Sequence, residues 1–222
     1  MKISFEDINL GTKTEPFSGN FLFVAGSDLY NRLNQPSQHL PFHLASHLNQ
    51  LDLVGYVCFY DGPPAPACKR LKEGLRNVFS HPIQIHERGN IKTIKARRIR
   101  LPGFLDPLLQ DIWLWIILRQ HLKSHYDVAI IDGPESAMMA RILKKSKRVQ
   151  FLIYYDIDYY PGVHPQWAWI LSRREKNLGK TADAVASVSR PLAALREQQG
   201  AKITTVIPNG VEFDRFNSQK TD

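Results

Sequence analysis

Short apolar runs alternate with amphipathic stretches along most of this 222-residue chain. Apolar runs bounded by Gly, Pro or Asp are typical of buried strands, and apolar residues at a spacing of three or four are typical of helices. The pattern predicts strands at residues 20–25, 54–60, 91–101, 127–131, 149–155, 184–188 and 203–207. It predicts helices at residues 37–48 (with Leu40, Leu44 and Leu48 on one face), 107–123, 135–145, 166–180 and 189–199. Residues 61–90 interrupt this alternation and are interpreted as a loop with, at most, a short basic helix.

Strands that are apolar on both faces, separated by helices, indicate a parallel sheet covered on both sides. We therefore expect an α/β domain: a Rossmann-like, doubly wound, mainly parallel sheet of about seven strands with helices on both faces. The three most apolar runs should be neighbouring central strands, at residues 21–24, 128–131 and 151–154. The domain is assigned to residues 20–208, with an N-terminal extension at 1–19 and a polar linker at 209–222.

Composition supports a folded domain, because 43% of the residues are hydrophobic and 23% are charged. Acidic residues occupy the part of the N-terminus where a signal peptide would be apolar, and no apolar run approaches the ~20 residues needed to span a bilayer. The two cysteines form no CxxC pair and are expected to be free thiols in a reducing cytoplasm. His39, His43 and His47 recur every fourth residue, but the third lies too far along the helix to complete one tetrahedral metal site. No metal is predicted.

The net charge of +8 is concentrated in one segment. Residues 69–100 hold ten Lys and Arg against two Glu, which favours a polyanionic partner, with a solvated basic loop as the alternative. No basic, aromatic-rich sheet or finger motif accompanies these charges, so nucleic acid is not expected as a partner. An anionic membrane surface is favoured, with the protein peripheral on the inner face of the plasma membrane. The predicted contact residues are Lys95, Arg97, Arg98, Arg100 and, for apolar insertion, Phe104.

Several well-known sites are missing from the sequence. No GxGxxG follows the first predicted strand, and neither GxxxxGK[ST] nor GxSxG occurs. No cofactor is predicted.

Ligands of open α/β sheets bind in the crevice beyond the carboxyl ends of the strands. These ends carry Gly, Ser, Asp and Glu in this chain, and carboxylates accept hydrogen bonds from polyhydroxyl groups. Gly and Asp are also common in turns for conformational reasons alone, so each loop has a structural alternative. The candidate binding residues are Gly26, Ser27, Asp28, Gly133 and Glu135, together with His39 and His164 near the same rim; Asp156 and Asp158 are the candidates for a base or for orienting an acceptor hydroxyl.

The last third of the chain resembles the end of the N-terminal domain in glycosyltransferases of the GT-B fold, family-four-like group. The resemblance rests on an ordered set in which Glu212 stands where Asp is usual: Tyr155, Asp156, Glu175, Ala182, Asp183, Ser189, Gly200, Pro208, Asn209, Gly210, Val211 and Phe216. Residues 61–126 match nothing in that group.

The resemblance implies the acceptor-binding half of an enzyme of the hexosyltransferase type. Such an enzyme transfers a sugar from a nucleotide-sugar donor to a saccharide or lipid-linked acceptor in polysaccharide or glycan biosynthesis. The donor-binding lobe is expected to be missing after the linker, so the fragment should be inactive alone. The alternative is a non-catalytic binding lobe that acts with a separately encoded catalytic partner.

Overall fold

The computed structural model describes residues 17–25, 40–41, 44–45, 47–56, 72, 83–96 and 105–208. The strands in these residues are β1 (Phe17–Ala25), β2 (Leu48–Tyr56), β3 (Ile83–Arg88), β4 (Ile91–Ala96), β5 (Tyr126–Asp132), β6 (Val149–Asp156), β7 (Ala184–Ser187) and β8 (Thr204–Val206). The helices are α1 (Leu105–Leu118), α2 (Ala137–Lys145), α3 (Tyr160–Val163), α4 (Ala168–Thr181) and α5 (Arg190–Gln198). Short 3-10 turns at Pro134–Ser136 and Pro165–Trp167 precede α2 and α4.

The eight strands form one sheet in the order β3-β4-β2-β1-β5-β6-β7-β8. Every neighbouring pair is parallel except β3 and β4, which are antiparallel. The predicted Rossmann-like parallel sheet is confirmed. The three most apolar runs are the neighbouring strands β1, β5 and β6, as expected.

The core lies on both faces of this sheet because successive strand residues point to opposite sides. Leu22 and Val24 of β1 belong to the larger apolar cluster, which also receives side chains from α1, α2 and α4. Phe23 and Ala25 of the same strand belong to a second cluster on the other face. All four side chains are buried, which explains why β1 is apolar throughout its second half.

Three predictions in the first half of the chain were wrong. Leu48 is the first residue of β2 rather than the last apolar position of a helix, so β2 starts six residues before the predicted strand. The segment 83–88 was assigned to a loop but forms β3, which turns through Gly89 and pairs with β4. The sheet consequently has one strand more than expected among the described residues. Gly89 has φ +60, a conformation that favours glycine and suits this tight turn.

Candidate functional site

The carboxyl ends of β5, β6 and β7 lie side by side, which brings two of the predicted loops together. Asp132 at the end of β5 is opposite Tyr155 of β6, and Asp156 at the end of β6 is opposite Ser187 of β7. On the other side, Asp132 is opposite Ala25, the last residue of β1. This rim is the position at which an open α/β sheet binds its ligands.

Asp156 lies in a buried ion-pair cluster with Glu175 of α4 and Arg196 of α5. Arg196 donates from Nε to Asp156 Oδ2 and from Nη2 to Asp156 Oδ1, both over 2.8 Å. Its Nη1 donates to Glu175 Oε2 over 3.0 Å. All three side chains are 0% exposed. A two-point contact of this kind between arginine and a carboxylate is among the strongest hydrogen-bonded pairs in proteins.

The Asp156 carboxylate oxygens also accept hydrogen bonds from two neutral hydroxyl groups. Tyr154 donates its hydroxyl to Oδ1 over 2.9 Å, and Ser187 donates its hydroxyl to Oδ2 over 3.1 Å. The prediction of Asp156 as a base or acceptor-orienting group therefore gives way to a structural role, because its carboxylate is fully enclosed and already accepts four hydrogen bonds. Asp156 instead helps to hold β6, α4 and α5 together.

Glu175 connects this cluster to the loop that follows β6. Its Oε1 accepts a hydrogen bond from the backbone N–H of Tyr160 over 3.2 Å. Tyr160 is the first residue of α3, and its side chain donates a hydrogen bond to Asp132. The buried ion-pair cluster thus fixes the position of a residue that contacts the neighbouring strand end.

Asp132 is the buried carboxylate that sequence reasoning missed as a site residue. Its side chain is 3% exposed, and its Oδ1 atom has no hydrogen-bond partner among the residues that the structure describes. Burial raises the pKa of Asp132 well above its ordinary value, and the charges of Glu135 and Asp158 raise it further. The signal in the sequence was its place as the last residue of a strand, which Asp156 shares.

Glu135 and Gly133 follow Asp132 in a tight turn. Gly133 has φ +89, and a Cβ atom at this position would lie 2.6 Å from Glu135 Oε1. The Glu135 carboxylate therefore packs against the Gly133 backbone, in space that only glycine leaves free. Glu135 is 4% exposed, so a second acidic side chain is buried beside Asp132.

Asp158 and His164 lie on the segment that follows β6, before and after the short helix α3. Partial burial raises the pKa of Asp158, the Asp156 charge adds to that effect, and His164 opposes it. We call Asp132, Glu135 and Asp158 the acidic strand-end cluster, because the charges of the other two act directly on Asp132. Gly133 and Glu135 therefore follow Asp132 closely in the chain, the charge of Asp158 acts on Asp132, and His164 interacts with Asp158.

The other candidates are distributed differently. Gly26, Ser27, Asp28 and His39 lie outside the described residues, as do Arg97, Arg98, Arg100 and Phe104. Lys95 lies on β4, half-buried, opposite Gly55 of β2. Among the described residues no group of His, Cys, Asp and Glu is arranged to hold a metal ion. Within the same part of the chain, no helix combines the length and the apolarity that crossing a membrane requires.

The family model for Glycosyltransferase Family 4 matches residues 42–215, most of the chain. The chain belongs to glycosyltransferase family 4. No curated protein sequence matches it.

Solved structures share the fold of this family-4 chain at low sequence identity. A trehalose-6-phosphate protein from E. coli, solved with UDP-2-fluoro glucose, superposes with a TM-score of 0.58 at 12% identity and covers 91% of this chain. A sucrose-phosphate synthase from Thermosynechococcus elongatus gives a TM-score of 0.51 at 14% identity, covering 89% of this chain and 92% of its own. The family-4 chain spans 51% of the E. coli protein, about half of its length.

Proposed function

We propose that this family-4 chain is the acceptor-binding domain of a glycosyltransferase of the hexosyltransferase type. In the proposed reaction an acceptor hydroxyl oxygen forms a bond to the anomeric carbon of the donor sugar, the bond from that carbon to the diphosphate oxygen breaks, and the departing nucleoside diphosphate takes the hydroxyl proton. The acceptor is a saccharide or a lipid-linked saccharide, and the product belongs to polysaccharide or glycan biosynthesis. In this proposal the nucleotide sugar is bound mainly by a second lobe, outside the domain that the structure describes.

The observation that carries the proposal is the acidic strand-end cluster. Asp132 is buried where the sheet topology predicts ligand binding, and one of its oxygens has no partner among the described residues. Buried polar atoms are nearly always paired, so this exception requires an explanation, and the proposal is that a bound ligand supplies the partner. A sugar hydroxyl is a suitable donor for Asp132 Oδ1. Asp158 and His164, on the segment that follows β6, are proposed to contact the same acceptor.

The size of a matched structure supports the proposal that acceptor and donor are bound by two different lobes. This chain covers about half of the E. coli protein that was solved with a nucleotide-sugar analogue. We therefore expect residues 1–222 alone to bind acceptor sugars weakly and to bind neither UDP- nor GDP-sugars with micromolar affinity. Calorimetric titration of both nucleotide sugars tests this directly, and micromolar binding of either would contradict the expectation.

Acceptor binding is the positive test of the proposal. Saturation-transfer NMR with a panel of monosaccharides and disaccharides should give signals with the wild-type chain that Asp132→Ala abolishes. Glu87→Gln is the matched control, because it removes one exposed carboxylate from β3 at the far edge of the sheet. Equal signals from both variants would remove Asp132 from the site. An activity assay distinguishes the non-catalytic alternative. Adding a separate donor-binding lobe should give sugar transfer only if this domain is the acceptor-binding half of the enzyme.

The membrane surface remains a proposed partner, now with a second feature in its favour. Helix α1 exposes Leu109, Ile112 and Ile116, which are 38%, 42% and 45% exposed and follow the basic segment in sequence. Their spacing of three and four places them on one side of the helix. Replacing Arg97, Arg98 and Arg100 with Gln should weaken binding to anionic vesicles on the order of a hundredfold, at ~1 kcal/mol for each charge. Unchanged vesicle binding by this triple variant and by Phe104→Ser would remove the membrane from the proposal.

A further inference from the structure

Large apolar side chains are exposed on the segment that follows β6. Tyr159, just before α3, is 48% exposed, and Val163, the last residue of α3, is 59% exposed. Trp169 in the first turn of α4 is 66% exposed, the highest value among the large apolar residues that the structure describes. The helices α3 and α4 contact each other, and we call these three residues the α3–α4 patch. Exposed apolar side chains that occur as a group mark binding surfaces more often than scattered ones do.

The backbone that carries this patch is held by hydrogen bonds. The N–H groups of Gly162 and Val163 both donate to the Tyr159 carbonyl, over 3.0 and 3.2 Å. Glu175 of the buried ion-pair cluster accepts a hydrogen bond from the N–H of Tyr160. A Cβ atom on Gly162 would lie 2.9 Å from Cδ1 of Tyr159, so the tyrosine ring packs directly against the glycine backbone. An aromatic ring that is already held in place loses little conformational entropy when a ligand binds to it.

The α3–α4 patch lies at the same rim as the proposed acceptor site. Tyr160, the neighbour of Tyr159 in the chain, donates a side-chain hydrogen bond to Asp132. Consecutive Cα atoms are about 3.8 Å apart, so the patch begins beside a residue that contacts the end of β5. Polar side chains flank the patch, since Asp158 precedes it and His164, which acts on the charge of Asp158, follows α3. Apolar area is therefore combined with groups that can bind hydroxyls.

The size and chemistry of the patch favour a saccharide over a second protein surface. Three partly exposed side chains offer on the order of 300 Å² of apolar area. A standard protein interface buries roughly 800 Å² on each partner, well above this value. A pyranose ring presents C–H groups on its faces and hydroxyls at its edge. It can therefore stack on an aromatic side chain while neighbouring polar groups bind its hydroxyls.

We propose that the α3–α4 patch is a second acceptor subsite, which stacks against a sugar ring next to the one that reacts. This inference rests on the proposed acceptor-binding function and narrows the acceptor to saccharides of at least two rings. Asp132 binds the reacting unit, and Tyr159 and Trp169 bind the neighbouring ring. The subsite selects the length of the acceptor rather than the hydroxyl that attacks.

The test compares glucose with two disaccharides of glucose, cellobiose and maltose. The two linkages place the second ring in different directions, so together they sample different approaches to the patch. Dissociation constants are measured by NMR titration of the full chain. At least one disaccharide should bind about tenfold more tightly than glucose, and we call this ratio the disaccharide preference.

Variants of the two exposed aromatic residues make the result specific. Tyr159→Ala and Trp169→Ala should each reduce the disaccharide preference about threefold or more and leave glucose binding unchanged. Trp169→Phe keeps an aromatic ring and should retain most of the preference. Phe17→Ala is the matched control, because this aromatic residue is 54% exposed at the first position of β1, at the opposite end of the strands. Unchanged melting temperatures verify that the variants fold.

Tryptophan fluorescence supplies a second measurement. Binding of the preferred disaccharide should change the emission of the wild-type chain more than that of Trp169→Phe, because Trp169 contacts the ligand. An equal change in both overturns the contact. Sedimentation tests the protein alternative: self-association of the wild-type chain that Trp169→Ala abolishes would assign the patch to a second copy and overturn the inference.

The outcomes also separate this inference from the function on which it rests. A disaccharide preference that survives both alanine variants, or that Phe17→Ala reduces equally, overturns the subsite. Glucose binding that requires Asp132, without preference for either disaccharide, also overturns the subsite and leaves the acceptor domain standing. Absence of binding by all three sugars up to millimolar concentrations overturns both. A preference that depends on the patch but not on Asp132 supports the subsite and contradicts the role proposed for Asp132.

Discussion

Asp132 and Asp156 occupy equivalent places in the fold, but the charged groups around the two carboxylates differ. Each is the last residue of a central parallel strand, the two strands are neighbours, and both side chains are buried. Asp156 points to the side where α4 and α5 supply Glu175 and Arg196. Asp132 points to the other face, as the alternation after the core residue Ile131 requires, and meets further carboxylates. The position of an acid in the fold therefore does not decide its role; the charges supplied by neighbouring elements do.

The largest effect on stability is expected from replacing Arg196, the positive partner of Asp156. Arg196→Met should destabilise the protein by about 3–5 kcal/mol, because two buried carboxylates lose their positive partner. In a domain of this size that loss lowers the melting temperature by about 10 °C, measurable by circular dichroism. Arg190→Met, on an exposed position of the same helix, should change stability by less than about 0.5 kcal/mol. Similar melting temperatures for the two variants would show that the cluster does not hold β6, α4 and α5 together.

The turn that carries the acidic strand-end cluster can be strained selectively. Gly133→Ala should cost about 2–3 kcal/mol, since it adds a Cβ atom 2.6 Å from Glu135 Oε1 to a residue at φ +89. Gly89→Ala is the matched control: φ is +60, nothing lies within 4 Å of the added atom, and only the backbone cost of about 1 kcal/mol remains. Urea denaturation measures both. The double variant Gly133→Ala/Glu135→Ala should recover the difference, and failure to recover it would mean that Glu135 does not fill this space.

The sign of the effect at Asp132 should be opposite to that at Asp156. The folded-state pKa of Asp132 is raised, so its favourable contribution to stability is present at low pH and is lost as the pH rises through that value. Asp132→Asn should therefore stabilise the protein at pH 8, where folding otherwise requires a buried charge, and the gain should disappear near pH 4. Asp156→Asn should be destabilising at pH 8. Urea denaturation across this pH range checks both, and a loss of stability for Asp132→Asn at pH 8 would mean that Asp132 is paired as well as Asp156.

The smallest expected effect concerns the neutral donors of the buried ion-pair cluster. Tyr154→Phe removes one hydroxyl from Asp156 Oδ1 and should cost about 1 kcal/mol. Ser187→Ala removes the donor to Oδ2 and should cost a similar amount. Chemical denaturation of the single and double variants gives the coupling energy between the two residues. The loss of stability in the double variant should exceed the sum of the two single losses, because both donors act on one carboxylate. If the two losses of unfolding free energy were strictly additive, the stability of the cluster would depend on Arg196 alone.

Much of the second half of the chain could be predicted from the sequence because local signals there agree with the tertiary fold. The apolar runs at β5, β6 and β7 are bounded by turn residues, and α4 and α5 follow at short distances. In the first half these signals conflict. Leu40, Leu44 and Leu48 have helical spacing, yet Leu48 starts β2, where pairing with β1 outweighs the local pattern. β3 was missed because its outer residues are polar and basic, as expected of an edge strand.

The site was predicted only in part, for a related reason. Sequence position identified the strand ends and proposed Gly133, Glu135, Asp158 and His164 as candidates near one rim. It could not distinguish Asp132 from Asp156, because the distinction lies in Arg196, forty residues further on in the sequence. Long-range pairing of a buried charge leaves no local trace in the sequence, so strand-end position alone does not reveal that Asp132 Oδ1 lacks a partner among the described residues while Asp156 is fully paired.

The pairing of β1 with β5 sets the order in which the two rim clusters can form during folding. All residues of the buried ion-pair cluster lie between 154 and 199, within one half of the sheet. Asp132 gains its second neighbouring strand only when β1 joins β5, an event that closes a loop of 107 residues between Phe21 and Val128. Contacts over such long separations form late because closing the loop is entropically unfavourable. We expect the backbone amides around the buried ion-pair cluster to become protected from hydrogen exchange early in refolding. The acidic strand-end cluster should be completed only in the last, slowest phase.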